Sequence, residues 1–312
     1  MSEQAIIETK ELSKAYGNLI AVDKLTLRIG EGEIFGFLGP NGAGKTTTIL
    51  MLLGLTEPTS GSVQVCGYSP TREPLKVKHI VGYLPEKVGF YEDLTAKQNL
   101  EYTAQLNSIP WNQVSKKINE ALNMVGLSDV ISKEVGKFSH GMKQRLGIAD
   151  VMIKDPKVII FDEPTSGIDP KGTDEVLRLI TNMAEKKITA IISSHQLHHI
   201  QKICSRVGIL SKGRLVAEGP IDRLGRETID GSKFLIEVQA SPITDKLLDA
   251  LQQIKGVLKI EKHEDTTLII TCEQDLRSQI SKTIVANDSI LTGMKSGEYG
   301  LEEIYLKYFR GS

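Results

Sequence analysis

Apolar and polar positions alternate in short blocks from the start of the chain to about residue 220. LTLRI, IFGFL, SVQV, IVGYL, VIIF, TAIIS and VGIL have strand length and β-forming content, and amphipathic stretches of helical period separate them. IFGFL and VIIF contain no polar position, which predicts strands buried on both faces, as in a parallel sheet flanked by helices. The pattern is that of an α/β fold. Between about 94 and 156 the strands stop, and DLTAKQNLEYTAQLNSI, NQVSKKINEALNMVGL and GMKQRLGIADVMI predict successive helices inserted between sheet strands. Asp93 and Thr95 are candidate caps, and Pro110 and Pro156 are breakers.

Past EGPIDRL the pattern changes. KFLIEV, VLKIEK, TLIITC and ILTGMK predict strands, TDKLLDALQQI and LRSQISKTIVA predict helices between them, and LEEIYLKYF predicts a closing helix. The order βαββαβ fits a small α+β domain with a ferredoxin-like split βαβ layout. GRETIDGSK is the expected linker, so the chain reads as two domains, 1–224 and 232–312, with no internal repeat.

Composition narrows the function classes. A net charge of −1 in 312 residues gives no basic footprint, so a nucleic-acid partner is not expected. Cys66, Cys204 and Cys272 are widely spaced without a CxxC, which fits reduced thiols rather than a disulfide framework or a zinc site. MSEQAIIETK lacks a basic segment followed by an apolar run, so no signal peptide is expected. ITAII and similar runs fall far short of the ~18 residues that a spanning helix needs.

GPNGAGKT, from Gly39 to Thr46, matches G-x-x-x-x-G-K-[ST] between a predicted strand and a predicted helix. Gly39, Gly42 and Gly44 let successive backbone N–H groups of the loop, those of Asn41 and Ala43 included and Pro40 alone having none, converge on phosphate oxygens, aided by the positive end of the next helix. Lys45 would neutralise the β and γ phosphates and Thr46 would hold Mg²⁺. A phosphate loop of this kind needs a second magnesium element, and VIIFDEP supplies Asp162, followed by Glu163, which could polarise an attacking water. Adjacent acids in that place could instead only cap the next turn. KFSHGMKQRL puts Ser139 and Gly141 at a helix start, which reads either as an anion-binding terminus or as an ordinary Ser cap.

In this order the motifs resemble the ATP-binding-cassette (ABC) ATPase family over about residues 5–222. GPNGAGKT matches the Walker A loop, FSHGM the signature, VIIFDEP the Walker B strand, SGID at 166–169 the D-loop, and SSH ending at His195 the switch histidine. Tyr16 matches the aromatic that stacks on adenine. The resemblance implies a P-loop NTPase fold and an ATPase that takes ATP and Mg²⁺. It further implies a head-to-tail homodimer in which ATP held by Lys45, Thr46 and Thr47 of one copy is covered by Ser139 and Gly141 of the other. Glu163 would orient water, His195 would contact the γ phosphate, and Asp169 would link the two sites.

Two departures stand out. Glu86 in YLPEKVGFYEDLT replaces the usual Gln, and a carboxylate could still reach Mg²⁺ while losing the amide donor. In the signature, His140 and Met142 replace Gly and Gln, and His140 adds bulk near the expected nucleotide. With the C-terminal LEEIYLKYF, these variants look like the exporter-type branch, multidrug- or CcmA-like, whose members pair with a separate ABC-2-type permease in the membrane. The implied location is the cytoplasmic face of the cell membrane. Phe90 and Tyr91 fall in the loop that in this family meets the membrane subunit, although core packing explains either equally well.

Other signals carry less. HQLHH at 195–199 lacks the Glu of H-E-x-x-H, so His198 and His199 are expected to face solvent. Trp111 is expected to be a packing anchor. A soluble ABC ATPase acting on ribosomes or DNA is the competing function, but a single Walker A and only 94 positions between Lys45 and Ser139 (139 − 45) disfavour it. A P-loop kinase or GTPase would leave FSHGM unexplained and lacks N-K-x-D.

Overall fold

The computed structural model describes residues 5–228, 234–296 and 301–309. They fall in two compact units divided between Glu218 and Gly219. The sequence boundary at 224 therefore lies a few residues late, because the helix that begins at Ile221 goes with the second unit. Residues 229–233 of the expected linker lie outside the described residues.

In the first unit, β1 (Ala5–Tyr16), β2 (Leu19–Gly30) and β4 (Ser60–Val65) form an antiparallel sheet in the order β2-β1-β4. β3 (Ile34–Leu38), β5 (Val81–Leu84), β6 (Val158–Asp162), β7 (Thr189–Ser193), β8 (Arg206–Ser211) and β9 (Arg214–Pro220) form a second sheet in the order β5-β6-β7-β3-β8-β9. From β5 to β8 its neighbours are parallel, and the two-residue turn Lys212–Gly213 adds β9 as an edge. β3 and β7 are buried at every position, which is why their sequences are almost wholly apolar.

β1 and β9 were not among the predicted strands. In β1 the register shifts between Thr9 and Leu12 and again between Leu12 and Ala15, so bulges break the two-residue period that signals a strand. Thr9 is polar yet fully buried, and its hydroxyl donates to the Leu25 carbonyl (3.0 Å) while accepting from the Leu27 N–H (2.9 Å). In β9 the buried positions are only Ala217 and Gly219, too small to give a hydrophobic signal.

α1 (Lys45–Leu52) follows β3, and α2 (Pro74–Ile80) leads into β5. The helical insertion consists of α3 (Ala96–Leu106), α4 (Trp111–Met124) and α5 (His140–Met152), as the pattern predicted. Thr95, not Asp93, caps α3, in a reciprocal capping box with Gln98. Pro110 stands directly before α4, and Trp111 is 71% exposed, so it anchors no packing. α6 (Pro170–Glu185) and α7 (Leu197–Ile203) flank β7 in sequence.

Asp150 on α5 is a buried carboxylate whose Oδ1 has no hydrogen-bond partner. Burial pushes its pKa up, against the opposing effects of the Thr103 hydroxyl and the Lys154 charge. A carboxyl whose pKa is raised by folding costs stability above its ordinary pKa and nothing well below it. Asp150→Asn is therefore expected to raise stability at pH 7 by about 1 kcal/mol. The gain should fade as the pH falls through the raised pKa and be gone once the pH reaches the ordinary aspartate range, and urea titrations at a series of pH values would show it. A gain independent of pH would contradict the assignment.

In the second unit, α8 (Ile221–Thr228) packs against α11 (Leu301–Phe309). β10 (Phe234–Ser241), α9 (Asp245–Gln252), β11 (Val257–Glu264), β12 (Thr267–Cys272), α10 (Arg277–Ala286) and β13 (Ile290–Ser296) follow the predicted βαββαβ order. The strands stand in the order β11-β12-β10-β13 with antiparallel neighbours, a split βαβ arrangement. Its core unites Ile236, Val238, Leu268 and Ile270 from the sheet with Leu247, Leu251, Ile280 and Ile284 from α9 and α10.

Candidate functional site

Gly44 ends the loop after β3 in a left-handed conformation (φ 105°) and immediately precedes α1. A side chain there would meet the Ala21 carbonyl at 2.5 Å, so only glycine lets the loop lie against β2. No side chain caps α1, so its first-turn N–H groups are free for a ligand.

These amides border a cleft of about 590 Å³ lined by Asn41, Gly42, Ala43, Gly44, Lys45, Thr46 and Thr47, with Glu86, Asp162 and Glu163 on other elements and Tyr16 in β1. The fold thus brings together eleven of the residues singled out from the sequence. Gly39 and Pro40 act from beneath: their carbonyls accept from Lys45 Nζ at 2.5 and 3.1 Å. Lys45 is only 8% exposed, and burial lowers its pKa, while the nearby Glu163 and Asp162 charges act to raise it.

Asp162 ends β6 and accepts a short hydrogen bond from the Ser193 hydroxyl at the end of β7. Tyr83 in β5 also bonds to Asp162, and burial first, then that carboxylate, pushes its phenol up to about 12. Glu163 follows with φ 50°, a strained conformation for a residue with a side chain. Its N–H donates to the Ser193 carbonyl (3.0 Å) and its own carbonyl accepts from Ser166 N–H (3.1 Å). Glu163 Oε2 is buried 2.9 Å from His195 Nδ1, but the angle gives no hydrogen bond. His195 itself does not line the cleft.

Ser139, Gly141 and Asp169 do not line the cleft either. Ser139 is exposed and caps α5, its hydroxyl accepting from Met142 N–H at 3.3 Å. Asp169 caps α6 through Gly172 N–H at 3.3 Å. His140 donates from Nε2 to the Ser166 carbonyl at 2.9 Å. Of the two later histidines, His198 is exposed, but His199 is half-buried and bonded to Thr165 Oγ1 at 3.1 Å, so it is no solvent-facing residue.

Sequence reasoning passed over Leu19, Ile20, Ala21 and Lys212, which also line the cleft. Leu19 and Ile20 are 67% and 57% exposed beside Tyr16 at 48%, an apolar surface suited to the face of a base. Their signal was an apolar pair directly after the turn that follows Tyr16. Lys212 arrives from a distant hairpin turn, held there by Gly213, whose N–H donates to the Ala43 carbonyl (3.1 Å) and whose carbonyl accepts from Asp23 N–H (2.8 Å).

The family model described as ABC transporter matches residues 22–166, and a second, described as an AAA domain, matches residues 134–199. The chain is similar along nearly its whole length to the bacitracin transport ATP-binding protein BcrA of Bacillus licheniformis, at 38% identity over 98% of both chains. It belongs to the family of ABC transporter ATP-binding proteins. The linearmycin resistance ATP-binding protein LnrL of Bacillus subtilis is 34% identical over 83% of each chain. A solved structure titled as the ATP-binding subunit of an ABC transporter superimposes with a TM-score of 0.66 at 30% identity, covering 71% of this chain and 92% of its own.

As an ABC transporter ATP-binding subunit, the chain binds and hydrolyses ATP. Such subunits work with membrane permease subunits. No helix among the described residues is long and apolar enough to cross a membrane. A ribosome- or DNA-directed role is not favoured by relatives of this kind.

Proposed function

We propose that this chain is the ATPase of an exporter that carries antibiotic-type amphiphiles, acting on the cytoplasmic face of the membrane with a separate ABC-2-type permease. The similarity to BcrA over 98% of both chains, second unit included, is the observation that carries this reading. Coexpression with the membrane protein encoded beside it should yield a stable complex and raise bacitracin tolerance. Recovery with ribosomes or DNA instead would overturn the proposal.

The cleft residues divide the work by their chemistry. Tyr16, Leu19 and Ile20 offer the surface for the base, while the amides from Asn41 to Thr47 face the phosphates. On binding, Lys45 would exchange the Gly39 and Pro40 carbonyls for β and γ phosphate oxygens. Thr46, Asp162 and Glu86 form an oxygen-only donor set on one cleft, which fits Mg²⁺. The ion would supply charge neutralisation at the phosphates. In this reading Glu163 orients and deprotonates the attacking water, and His195, 2.9 Å from it, turns to the γ phosphate.

Ser139 and Gly141 lie outside their own chain's cleft, which supports their action on nucleotide held by a second copy in a head-to-tail dimer. Asp169 then belongs to the contact between the copies through the helix it caps. The nucleotide-binding unit that ends at Glu218 and the accessory unit that begins at Gly219 complete this assignment, the second serving the dimer or the permease.

A further inference from the structure

His140 lies between the two signature residues, yet its ring is spent within its own chain. Nε2–H donates to the Ser166 carbonyl at 2.9 Å. The N–H of the same Ser166 donates to the Glu163 carbonyl at 3.1 Å. Ser166 is thus held from both sides, by His140 and by the backbone of Glu163. Packing follows the same path: a Cβ on Gly167 would meet the His140 ring at 3.5 Å, and one on Gly141 would meet Ile168 Cγ2 at 3.4 Å.

The turn needs such support. Glu163 has φ 50°, and a left-handed non-glycine residue persists only where its surroundings hold it. Its backbone hydrogen bonds are to Ser193 and Ser166, and Thr165 is tied to His199. The bond from His140 ties this turn to the start of α5, beside the packing of Gly141 against Ile168.

We propose that His140 is a positioning residue that couples Ser139 and Gly141 to Glu163 of the same chain, through Ser166. When the signature segment closes over nucleotide held by the other copy, the shift reaches the carboxylate of its own cleft. The inference rests on the two-copy site proposed above. His140 does not line its own chain's cleft, and its ring is turned to Ser166, so the coupling is expected in turnover and not in capture of ATP by that cleft.

The test uses the full chain with Mg²⁺-ATP and compares three variants. His140→Ala should lower kcat about tenfold, the effect of one lost hydrogen bond, with KM for ATP and the melting temperature unchanged. His140→Gln should restore most of the loss, because its Nε2 can occupy the place of the imidazole Nε2 and still donate to Ser166. Ser139→Ala should remove most turnover whatever His140 does. Full turnover in His140→Ala with an inactive Ser139→Ala would overturn the coupling and leave the two-copy site standing. A loss in His140→Ala that Gln does not rescue, or one seen in KM and melting temperature instead of kcat, would also overturn it. Full turnover in Ser139→Ala would overturn both.

Discussion

Glu163→Gln is expected to lower ATP turnover by about 10²–10⁴-fold while ATP still binds, and to accumulate a dimer with nucleotide trapped between the copies. The substitution is nearly isosteric, so the turn at φ 50° and its bonds to Ser193 and Ser166 stay in place. What disappears is an oxygen able to take a proton from water. His195 Nδ1, 2.9 Å from Glu163 Oε2 in the wild type, would then face an amide. Single-turnover kinetics and size-exclusion chromatography with ATP would read both effects. A variant with normal turnover would remove Glu163 from the base position and leave Asp162 as the nearest alternative.

Lys45→Met is expected to separate binding from folding. The ammonium sits 8% exposed among the loop carbonyls, and its lowered pKa says that burial disfavours the charge more than the Glu163 and Asp162 carboxylates favour it. Replacing it with an apolar side chain of similar length should leave the melting temperature of the nucleotide-free protein unchanged or slightly higher. Losing two charge-assisted bonds to phosphate should weaken ATP binding by about 10²-fold or more. At ATP one hundred times the wild-type dissociation constant, ligand stabilisation would fall from about 2.7 to about 0.4 kcal/mol. Differential scanning calorimetry with and without Mg²⁺-ATP measures both quantities. A variant that kept the ATP-induced shift would show that the amides alone hold the triphosphate.

Legibility differed from element to element, for physical reasons. β3 and β7 announce themselves because burial on both faces demands apolar residues throughout. The second unit was legible because β10 and β12 bury alternate residues against two amphipathic helices. β1 was not, since its bulges interrupt the alternation, and β9 was not, since Ala217 and Gly219 carry so little apolar surface. Trp111 misled because size suggests burial, yet it opens a helix at the surface.

The cleft shows the same division. Its phosphate side is written contiguously, because a loop that wraps phosphate with its own amides must be local, and the glycine at 44 follows from a 2.5 Å approach to Ala21. The base side is assembled from the β1–β2 turn and the hairpin turn at Lys212, so Leu19, Ile20 and Lys212 carry no motif. Local period and spacing within one segment were enough for the α/β class, the order of the motifs and the choice of the loop residues that line the cleft. The tertiary structure alone decided that Ser193 and Tyr83 hold Asp162, that His140 turns to Ser166, and that Ser139 lies outside its own cleft. Those contacts join residues far apart in the chain, and only the packing of β5, β6, β7 and α5 brings them within hydrogen-bond reach or keeps them apart.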